Sequence, residues 1–415
     1  MKVFFSAGEP SGDIHGANLI RALQRQCPDV RCVGFGGEKM RAAGCDVHFD
    51  LTTLAVMWLA GALWNLRTFF RLADQAEAYF RDEKPDAVVL IDYPGFNWHL
   101  AKRAGKYGIP VYYYSPPQVW AWKQARVKKL RENCTLVFSG LPFETDWLRE
   151  HGCRVEYVGH PFFDEVEKME DSSVFSDGSE ISMSESAEKT RTNQVALLPG
   201  SRMKEVCKNV PVFLRVVRKI RSRRPETTFA FAAYNQAQAD WIQRFLQAHG
   251  ETAIPIHVGE TPQVVRASRC CLSVSGSVSL ELLYYEKPTV IVYQVPRYAW
   301  WLQWLFRRVR YITLVNLLVA KEPFCRFPAE YTPTSAAAGE VLFPEYLTCR
   351  DRSSWMAEDL LRWLNDDAEY ERQLERLRAL KSQVAQPGAA DRAAEAIVRA
   401  YHDAATTTKD DSVPL

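Results

Sequence analysis

Short runs of β-branched and aromatic residues alternate with amphipathic helical patterns along most of this 415-residue chain. Such alternation predicts βα units, in which parallel strands form a sheet and helices cover both of its faces. The predicted strands are 2–7, 31–35, 87–91, 110–115, 135–139 and 154–158, and then 195–199, 228–232, 255–258, 270–274 and 289–293. The pattern therefore predicts an α/β fold.

One segment interrupts the alternation. Residues 167–194 are rich in Ser, Glu and Asp and show no period, which predicts an acidic, solvated linker between two α/β domains, 1–166 and 195–350. Helical patterns fill 351–403, and 404–415 are expected to be a frayed tail. Two α/β domains facing a cleft, with helices at the C-terminus, are typical of enzymes that use activated nucleotides.

Composition narrows the class of protein. A hydrophobic content of 47% and a charged content of 25% indicate a globular chain, and a net charge of +2 gives no argument for nucleic-acid binding. The ten cysteines are scattered without a C-x-x-C pair, which argues against a zinc site or a disulfide framework. We expect no signal peptide, a reduced cytoplasmic compartment and no metal. The apolar stretch 54–64 is too short for a bilayer span, which needs about 20 residues.

The first predicted strand leads into the turn SAGEPSGDIHGA, at residues 6–17. Its glycines, Gly8 and Gly12, do not form the G-x-G-x-x-G fingerprint of dinucleotide-binding proteins. Ser11 and His15 are four residues apart and would share a face at the start of a helix. Ser11 or Asp13 could equally be an ordinary helix cap, but the added imidazole favours a functional turn.

A second turn carries a carboxylate. In VVLIDYPGFNWHLAK, at 88–102, an apolar strand ends at Asp92 and a Pro-Gly turn leads into a helix. Open α/β sheets place their chemistry at the carboxyl ends of such strands, although an Asx turn is the alternative. His160 precedes Pro161, so its backbone is expected to be extended and its ring to face the cleft.

Two turns in the second half suit phosphate. In VALLPGSRMKEV a strand passes through Pro-Gly-Ser-Arg into a helix, whose free N–H groups and Arg202 could hold a diphosphate. Ser275-Gly276-Ser277 opens another helix, with Glu281 available for the hydroxyls of a ribose. The alternatives are a capped turn with a surface arginine, and a glutamate that balances the helix dipole.

Aromatic and basic residues are interleaved over 297–312. The combination is typical of the headgroup boundary of an anionic membrane, although a helix buried against its neighbour is the alternative. Residues 54–72 are a second candidate apolar surface. The predicted membrane-contact residues are Trp300, Trp301, Trp304, Arg307 and Arg308.

The ordered motifs AGEPSGDIHGA, GFGGEKM, IDYPGFN, VWAW, LPFE, VGHP, LLPGSR, SGSVSLE and LVNLL resemble the lipid-A-disaccharide synthase family over residues 2–320. The resemblance implies a two-domain glycosyltransferase fold of the B type. It also implies that UDP-2,3-diacylglucosamine and 2,3-diacylglucosamine 1-phosphate (lipid X) are joined into a β-1,6 disaccharide 1-phosphate with release of UDP. Members act as inverting enzymes without a metal or other cofactor on the inner face of the inner membrane, and a homodimer is implied.

The resemblance carries eight functional positions onto this chain, namely Ser11, Asp13, His15, Asp92, Arg202, Ser275, Glu281 and Asn316. We expect Asp92 to be the general base, with His15 or Asp13 orienting it or relaying the proton. The chain departs from the family pattern at Gly95, where an acidic residue is common, in an additional proline in SPPQVWAW, and in a longer linker.

Two other functions are compatible with this architecture. A UDP-sugar 2-epimerase shares the nucleotide-binding half but has no use for membrane-contact segments. A non-catalytic peripheral membrane relative would keep those segments and lose Asp92, Arg202 or Glu281, all of which are present here.

Overall fold

A computed structural model of the chain describes residues 1–53, 65–167, 193–276, 278–334 and 339–410. The chain divides into two compact units. Unit 1 comprises Met1–Gly178 and Val384–Leu415, and unit 2 comprises Ser179–Gln383. Most of the predicted linker, residues 168–192, lies outside the described residues.

Unit 1 contains seven parallel strands. These are β1 (Lys2–Ala7), β2 (Arg31–Gly36), β3 (Asp46–Asp50), β4 (Ala87–Ile91), β5 (Val111–Tyr114), β6 (Leu136–Ser139) and β7 (Val155–Tyr157). Their order in the sheet is β3-β2-β1-β4-β5-β6-β7. The chain first builds outward from β1 toward β3 and then crosses to β4, so the strand order reverses between β1 and β4. That reversal opens a crevice at the carboxyl ends of these two strands.

Helices connect the strands of unit 1. They are α1 (Pro10–Gln26), α2 (Glu38–Ala42), α3 (Asn65–Glu83), α4 (Pro94–Lys106), α5 (Val127–Asn133) and α6 (Pro142–Glu150). The β4 sequence AVVLI is buried at all five positions, as expected for a central strand covered on both faces.

Unit 2 repeats the arrangement with six strands. These are β8 (Gln194–Leu198), β9 (Thr228–Ala233), β10 (Ile256–Val258), β11 (Cys270–Val274), β12 (Thr289–Gln294) and β13 (Glu345–Thr348), in the order β10-β9-β8-β11-β12-β13. All neighbouring pairs are parallel. Here the order reverses between β8 and β11, which places the crevice at their carboxyl ends.

The helices of unit 2 are α7 (Met203–Arg221), α8 (Gln236–Ala248), α9 (Thr261–Ala267), α10 (Val278–Tyr284), α11 (Arg297–Phe306), α12 (Leu314–Val319), α13 (Ser353–Asn365) and α14 (Asp367–Val384). The last of them, α14, ends at the boundary of the unit. Buried Arg269 links the sheet to the C-terminal helices, because its guanidinium donates to the Trp363 carbonyl at 2.8 Å and pairs with Asp367 at 2.6 Å.

The final helix, α15 (Ala389–Asp410), belongs to unit 1. Its alanines and Ile397 join the core that α1 forms on the sheet. The Asp164 carboxylate caps the helix by accepting N–H bonds from Gly388, Ala389 and Ala390 at 2.7–3.0 Å. The helices predicted as one block over 351–403 are therefore divided between the two units.

Two details differ from the sequence-based expectations. The helix α15 continues to Asp410, so 404–410 are helical where a frayed tail was predicted, and 411–415 lie outside the described residues. The strands β3 and β13 were not predicted. In β3 the sequence DVHFD has a polar residue at every other position, as expected for an edge strand.

Candidate active site

The turns after β1 and β4 meet at the strand-order reversal of unit 1. A Cβ atom on Gly8 would lie 2.3 Å from the Tyr93 ring, so only glycine allows the two turns to approach this closely. A Cβ on Gly12 would be 3.6 Å from the Ile91 side chain, which places the first turn of α1 at the end of β4. The structure thus brings the predicted residues of both turns to one edge of the sheet.

Asp92 lies on a sharp, strained turn between β4 and α4. Both Asp92 and Tyr93 have φ of +43°, a left-handed conformation that costs a non-glycine residue roughly 1–2 kcal/mol. Two side chains hold the turn at the Asp92 carbonyl, since Tyr113 Oη donates to it at 2.7 Å and Asn97 Nδ2 at 2.8 Å. Asn97 is itself buried and accepts from Ser6 Oγ at 2.7 Å. The backbone that carries the carboxyl group is therefore fixed by the fold.

The surroundings of Asp92 make it a better base than an ordinary aspartate. Burial raises the pKa of Asp92 to about 6, and the negative charge of Glu9 acts in the same direction. The Tyr93 N–H and the nearby His15 oppose this rise. A carboxylate with a pKa close to the working pH is ionised and still basic, which suits a general base.

Two residues that the sequence interpretation did not combine surround His15. The His15 Nδ1 atom lies 2.7 Å from Glu165 Oε1, in the helical residues 162–167. Burial lowers the pKa of His160 to about 3, and the Phe162 N–H donates to His160 Nδ1 at 3.2 Å, so this ring is neutral. Because Glu165 is 150 residues from His15 in the chain, no local pattern indicates their contact.

Asp13 has a different environment from the one expected. Its carboxylate is buried and accepts N–H bonds from Gly37 and Met40 at 2.8 and 3.0 Å and from Lys39 at 2.9 Å. Asp13 therefore caps α2, and these contacts do not support a part in orienting Asp92 or relaying its proton. By contrast, Ser11 is exposed at the second residue of α1, and its hydroxyl has no hydrogen bond to any described residue.

In unit 2, the turn after β8 forms an open helix start. Gly200 has φ of +119°, and a Cβ there would lie 2.7 Å from the Glu205 carboxylate, so glycine is required at this position. Glu205 reaches back to the Arg202 N–H at 3.3 Å and completes a capping box on α7. The Arg202 side chain is 77% exposed and is 3.5 Å from Glu205. Its guanidinium can therefore bind an anion at the start of α7.

Buried amides hold this turn against its neighbour. Asn209 donates to the Pro199 carbonyl at 3.1 Å and Gln238 to the Ser201 carbonyl at 2.8 Å. A Cβ on Gly200 would lie 3.4 Å from Val274, the last residue of β11. The turn after β8 therefore adjoins the turn after β11, at the strand-order reversal of unit 2.

The turn after β11 carries the remaining predicted groups. Ser275 is half-buried, with Oγ 3.5 Å from the Ile312 carbonyl, and Gly276 is exposed. Ser277 lies outside the described residues. Glu281, in the first turn of α10, is half-buried without a hydrogen bond to any described residue, and burial raises its pKa. Its carboxylate is thus available to a ligand.

The contacts of Asn316 do not support its predicted ligand-binding role. Asn316 is fully buried, donates to the Phe343 carbonyl and to Glu345 at 2.7 and 3.1 Å, and accepts from the Leu342 and Phe343 N–H groups. Both amide atoms are saturated by the protein, so the side chain stabilises the segment that leads into β13. The partners are some 30 residues away, which is why the motif LVNLL alone does not reveal them.

The predicted membrane-contact residues do not share one face of α11. Trp301 is 57% exposed, and the outer face of the helix also presents Leu302 and Phe306. Trp300, Trp304 and Arg307 lie on the inner face and line a cavity instead. Arg308 is half-buried, with Nη1 3.5 Å from the Leu305 carbonyl. Of the five predicted membrane-contact residues, Trp301 alone is strongly exposed, and the membrane role of all five stays a prediction.

Two features are absent from the described residues. Within them, every helix is too short or too polar to cross a bilayer. The same part of the chain contains no group of three or more His, Cys, Asp or Glu side chains arranged to hold a metal ion.

Comparison with known proteins assigns the family. The family model described as lipid-A-disaccharide synthetase matches residues 3–342. The chain belongs to the lipid-A-disaccharide synthase family. Named members include the enzyme of Alkalilimnicola ehrlichii, 32% identical over 88% of this chain and 90% of that protein. The enzyme of Myxococcus xanthus is 30% identical over 96% and 97% of the two chains.

Solved structures share the fold of this lipid-A-disaccharide synthase family member. A UDP-GlcNAc 2-epimerase from Neisseria meningitidis, bound to UDP-GlcNAc, aligns with a TM-score of 0.60 over 96% of this chain and 100% of its own, at 13% identity. MurG from Acinetobacter baumannii aligns with a TM-score of 0.52 over 96% and 99%, also at 13% identity. The predicted fold, two Rossmann-like units of the glycosyltransferase B type, is thus confirmed.

Proposed function

We propose that this chain transfers a diacylglucosamine unit from UDP-2,3-diacylglucosamine to the 6-hydroxyl of 2,3-diacylglucosamine 1-phosphate. The products are the β-1,6-linked disaccharide 1-phosphate and UDP. Membership of the lipid-A-disaccharide synthase family supports the reaction. The observation that carries the mechanism is Asp92, a carboxylate with a pKa of about 6 on a strained turn at the strand-order reversal of unit 1.

Asp92 is the general base in this mechanism. Its carboxylate takes the proton from the acceptor 6-hydroxyl as that oxygen attacks the anomeric carbon, which inverts the configuration there. Such assistance typically accelerates a reaction by about 10²–10⁴-fold. His15 lies near enough to favour the ionised form of Asp92, and Glu165 Oε1 holds the imidazole at Nδ1. We assign His15 to orienting Asp92 or relaying its proton.

The groups at the strand-order reversal of unit 2 bind the nucleotide. Negative charge develops on the departing diphosphate, and preorganised N–H groups and cations lower the barrier to its departure. The start of α7 and the exposed guanidinium of Arg202 provide such groups. Ser275 and Gly276 contact the nucleotide from the second turn, and Ser277 stays a predicted ligand contact. Glu281, which has no hydrogen bond to any described residue, accepts the ribose hydroxyls. On the acceptor side, the exposed Ser11 hydroxyl contacts the lipid substrate.

Both substrates carry acyl chains, so the enzyme must take them from a bilayer. We propose that it works as a peripheral protein on the inner face of the inner membrane. The exposed Trp301, Leu302 and Phe306 on α11 support this location, since aromatic and apolar side chains partition into the headgroup boundary. The homodimer implied by the family stays a prediction, which light scattering of the purified protein would test.

A direct assay tests the reaction. Purified protein is incubated with the two lipid precursors, and UDP release and disaccharide 1-phosphate are measured by mass spectrometry. We expect stoichiometric formation of both products, dependent on the acceptor. Conversion of a UDP-sugar to its 2-epimer without acceptor would instead identify an epimerase, and absence of both reactions would favour a non-catalytic relative.

A further inference from the structure

A cavity of about 460 Å³ lies within unit 2 behind α11. The inner face of the helix forms one wall, with Trp300, Gln303 and Trp304 at helical spacing and Arg307 directly after the end of the helix. The opposite walls come from residues 325–331 and from the start of β13. The volume is within the usual range of small-molecule sites, and aromatic walls with a few polar groups are their usual lining.

Two buried polar atoms in the cavity have no partner among the described residues. They are Gln303 Oε1, an acceptor, and Arg307 Nε, a donor. The guanidinium of Arg307 makes no hydrogen bond or ion pair within 4 Å to any described residue, although it is largely buried and burial lowers its pKa. Leaving such buried groups unpaired is unfavourable, so a ligand with one donor and one acceptor is expected here.

The charges in the cavity nearly cancel. Glu345 lies close enough to Arg307 to oppose the effect of burial, Arg310 pairs with Glu340 at 3.6 Å, and Glu330 accepts two hydrogen bonds from Arg352 outside the cavity. A phosphate or carboxylate would leave an excess of negative charge. The site therefore favours a neutral group that offers both N–H and C=O, attached to an apolar body that fills the space between the tryptophans.

The cavity is also linked to the nucleotide-binding turn. The Glu345 carboxylate, in its wall, accepts the Ile312 N–H at 2.9 Å, and the Ile312 carbonyl lies 3.5 Å from Ser275 Oγ. One residue thus separates the cavity from the turn after β11. On its outer side, α11 presents Trp301, Leu302 and Phe306, where a longer chain would extend toward a lipid surface.

We propose that this cavity binds the amide-linked acyl chain of the UDP-sugar donor. In this arrangement the amide N–H donates to Gln303 Oε1, the amide C=O accepts from Arg307 Nε, and the first carbons of the chain pack between Trp300 and Trp304. The inference rests on the proposed transferase function, because that function supplies a nucleotide sugar with a long amide-linked acyl chain.

The binding test uses full-length protein and calorimetry with three probes below their micelle concentrations. N-Decanoylglucosamine has the amide, decyl glucoside lacks it, and dihexanoylphosphatidylglycerol represents a membrane lipid with ester-linked chains. We expect N-decanoylglucosamine to bind about tenfold more tightly than either of the others, because only its amide pairs both unpartnered atoms. Equal or tighter binding of decyl glucoside or of the phospholipid would overturn the proposal.

Two variants locate the binding. Ala329→Phe fills the cavity and is expected to abolish binding of N-decanoylglucosamine, while Ala248→Phe, on the exposed end of α8, is the matched control and should bind normally. Gln303→Leu keeps the volume but removes the acceptor, so binding should weaken about fivefold without loss of folding. Unchanged binding by Gln303→Leu or by a folded Ala329→Phe would refute the site.

The transfer assay separates this inference from the function on which it rests. If the wild-type protein forms disaccharide and Ala329→Phe has an unchanged KM for the donor, the cavity proposal fails and the function stands. If the wild-type protein forms no disaccharide, the function fails, and the binding of N-decanoylglucosamine still decides whether the cavity accepts an amide-linked chain.

Discussion

The turn after β4 in unit 1 and the turn after β8 in unit 2 both lie beside the strand-order reversal of their sheet, yet their side chains are held very differently. Asp92 is half-buried on left-handed backbone, and two side chains hold its carbonyl. Arg202 is 77% exposed and only loosely tied to Glu205. The backbone under the carboxylate is therefore fixed before a substrate arrives, whereas the guanidinium is left for a bound anion to order.

The largest expected effect concerns Asp92, in the turn after β4. Asp92→Asn keeps the shape of the side chain but removes the base, so kcat should fall about 10²–10⁴-fold while the affinity for UDP stays unchanged. Steady-state kinetics and calorimetry with UDP measure the two quantities. Asp146→Asn, at an exposed carboxylate of α6, is the control and should be fully active. A kcat for Asp92→Asn within tenfold of the wild-type value would remove Asp92 as the base.

The next largest expected effect concerns Arg202, the exposed side chain in the turn after β8. Arg202→Ala should lower kcat/KM by about 10²–10³-fold and weaken UDP binding, since a cation at the leaving diphosphate is lost. Because the side chain is exposed, the free energy of unfolding should change by no more than about 0.5 kcal/mol. Lys204→Ala, in the first turn of the same helix, is the matched control. Equal losses in both variants would mean that only general positive charge matters there.

A smaller effect concerns stability and pH. The pKa of Asp92 in the folded protein is about 6, which is above its ordinary value of 3.8. Folding therefore favours the protonated form of this group. Its contribution to the stability of the fold is lost as pH rises from about 4 to about 6. Asp92→Asn should therefore be more stable than the wild type at pH 7.5, by up to about 3 kcal/mol, with a smaller difference at pH 4.5. Thermal unfolding at both pH values measures it, and a difference independent of pH would contradict the argument.

The activity of the wild type should also depend on the ionisation of Asp92, but it should rise with pH where stability falls. Since the base must be ionised, kcat/KM should decrease about tenfold for each pH unit below about 6. Stability and activity would then change in opposite directions over one pH range, as expected where a functional carboxylate is kept in an unfavourable environment.

The smallest expected effect concerns the surface of unit 2. Trp301→Ser removes one exposed aromatic side chain from α11 and should weaken binding to anionic vesicles by about tenfold or less. Co-sedimentation measures the binding. Trp122→Ser, which removes a similarly exposed tryptophan in unit 1, should have no effect. The membrane role of α11 would be abandoned if both variants sedimented like the wild type.

Local patterns predicted the parts of this molecule that depend on local chemistry. The buried strands and the turns that carry Asp92, Arg202 and Ser275 follow from apolar runs that end in glycine and polar residues. The roles of Asp13 and Asn316 could not be predicted in this way, because their partners lie some 25 to 30 residues along the chain. The contacts of Glu165 with His15 and of Tyr113 with the Asp92 carbonyl could not be predicted either, because these partners are also distant in the sequence. Strand β13, with the sequence EYLT, is too short for its period to be recognised.

The return of α15 to unit 1 has a consequence for how the protein is made. Unit 2 is one uninterrupted stretch, whereas unit 1 needs both its first residues and the helix that begins at Ala389. On the ribosome, where chains emerge from the N-terminus, unit 2 can close its core while one surface of the α1 layer still waits for its covering helix. The first unit to be translated is thus the last to be finished, and a premature stop codon after residue 383 would damage the unit that contains Asp92.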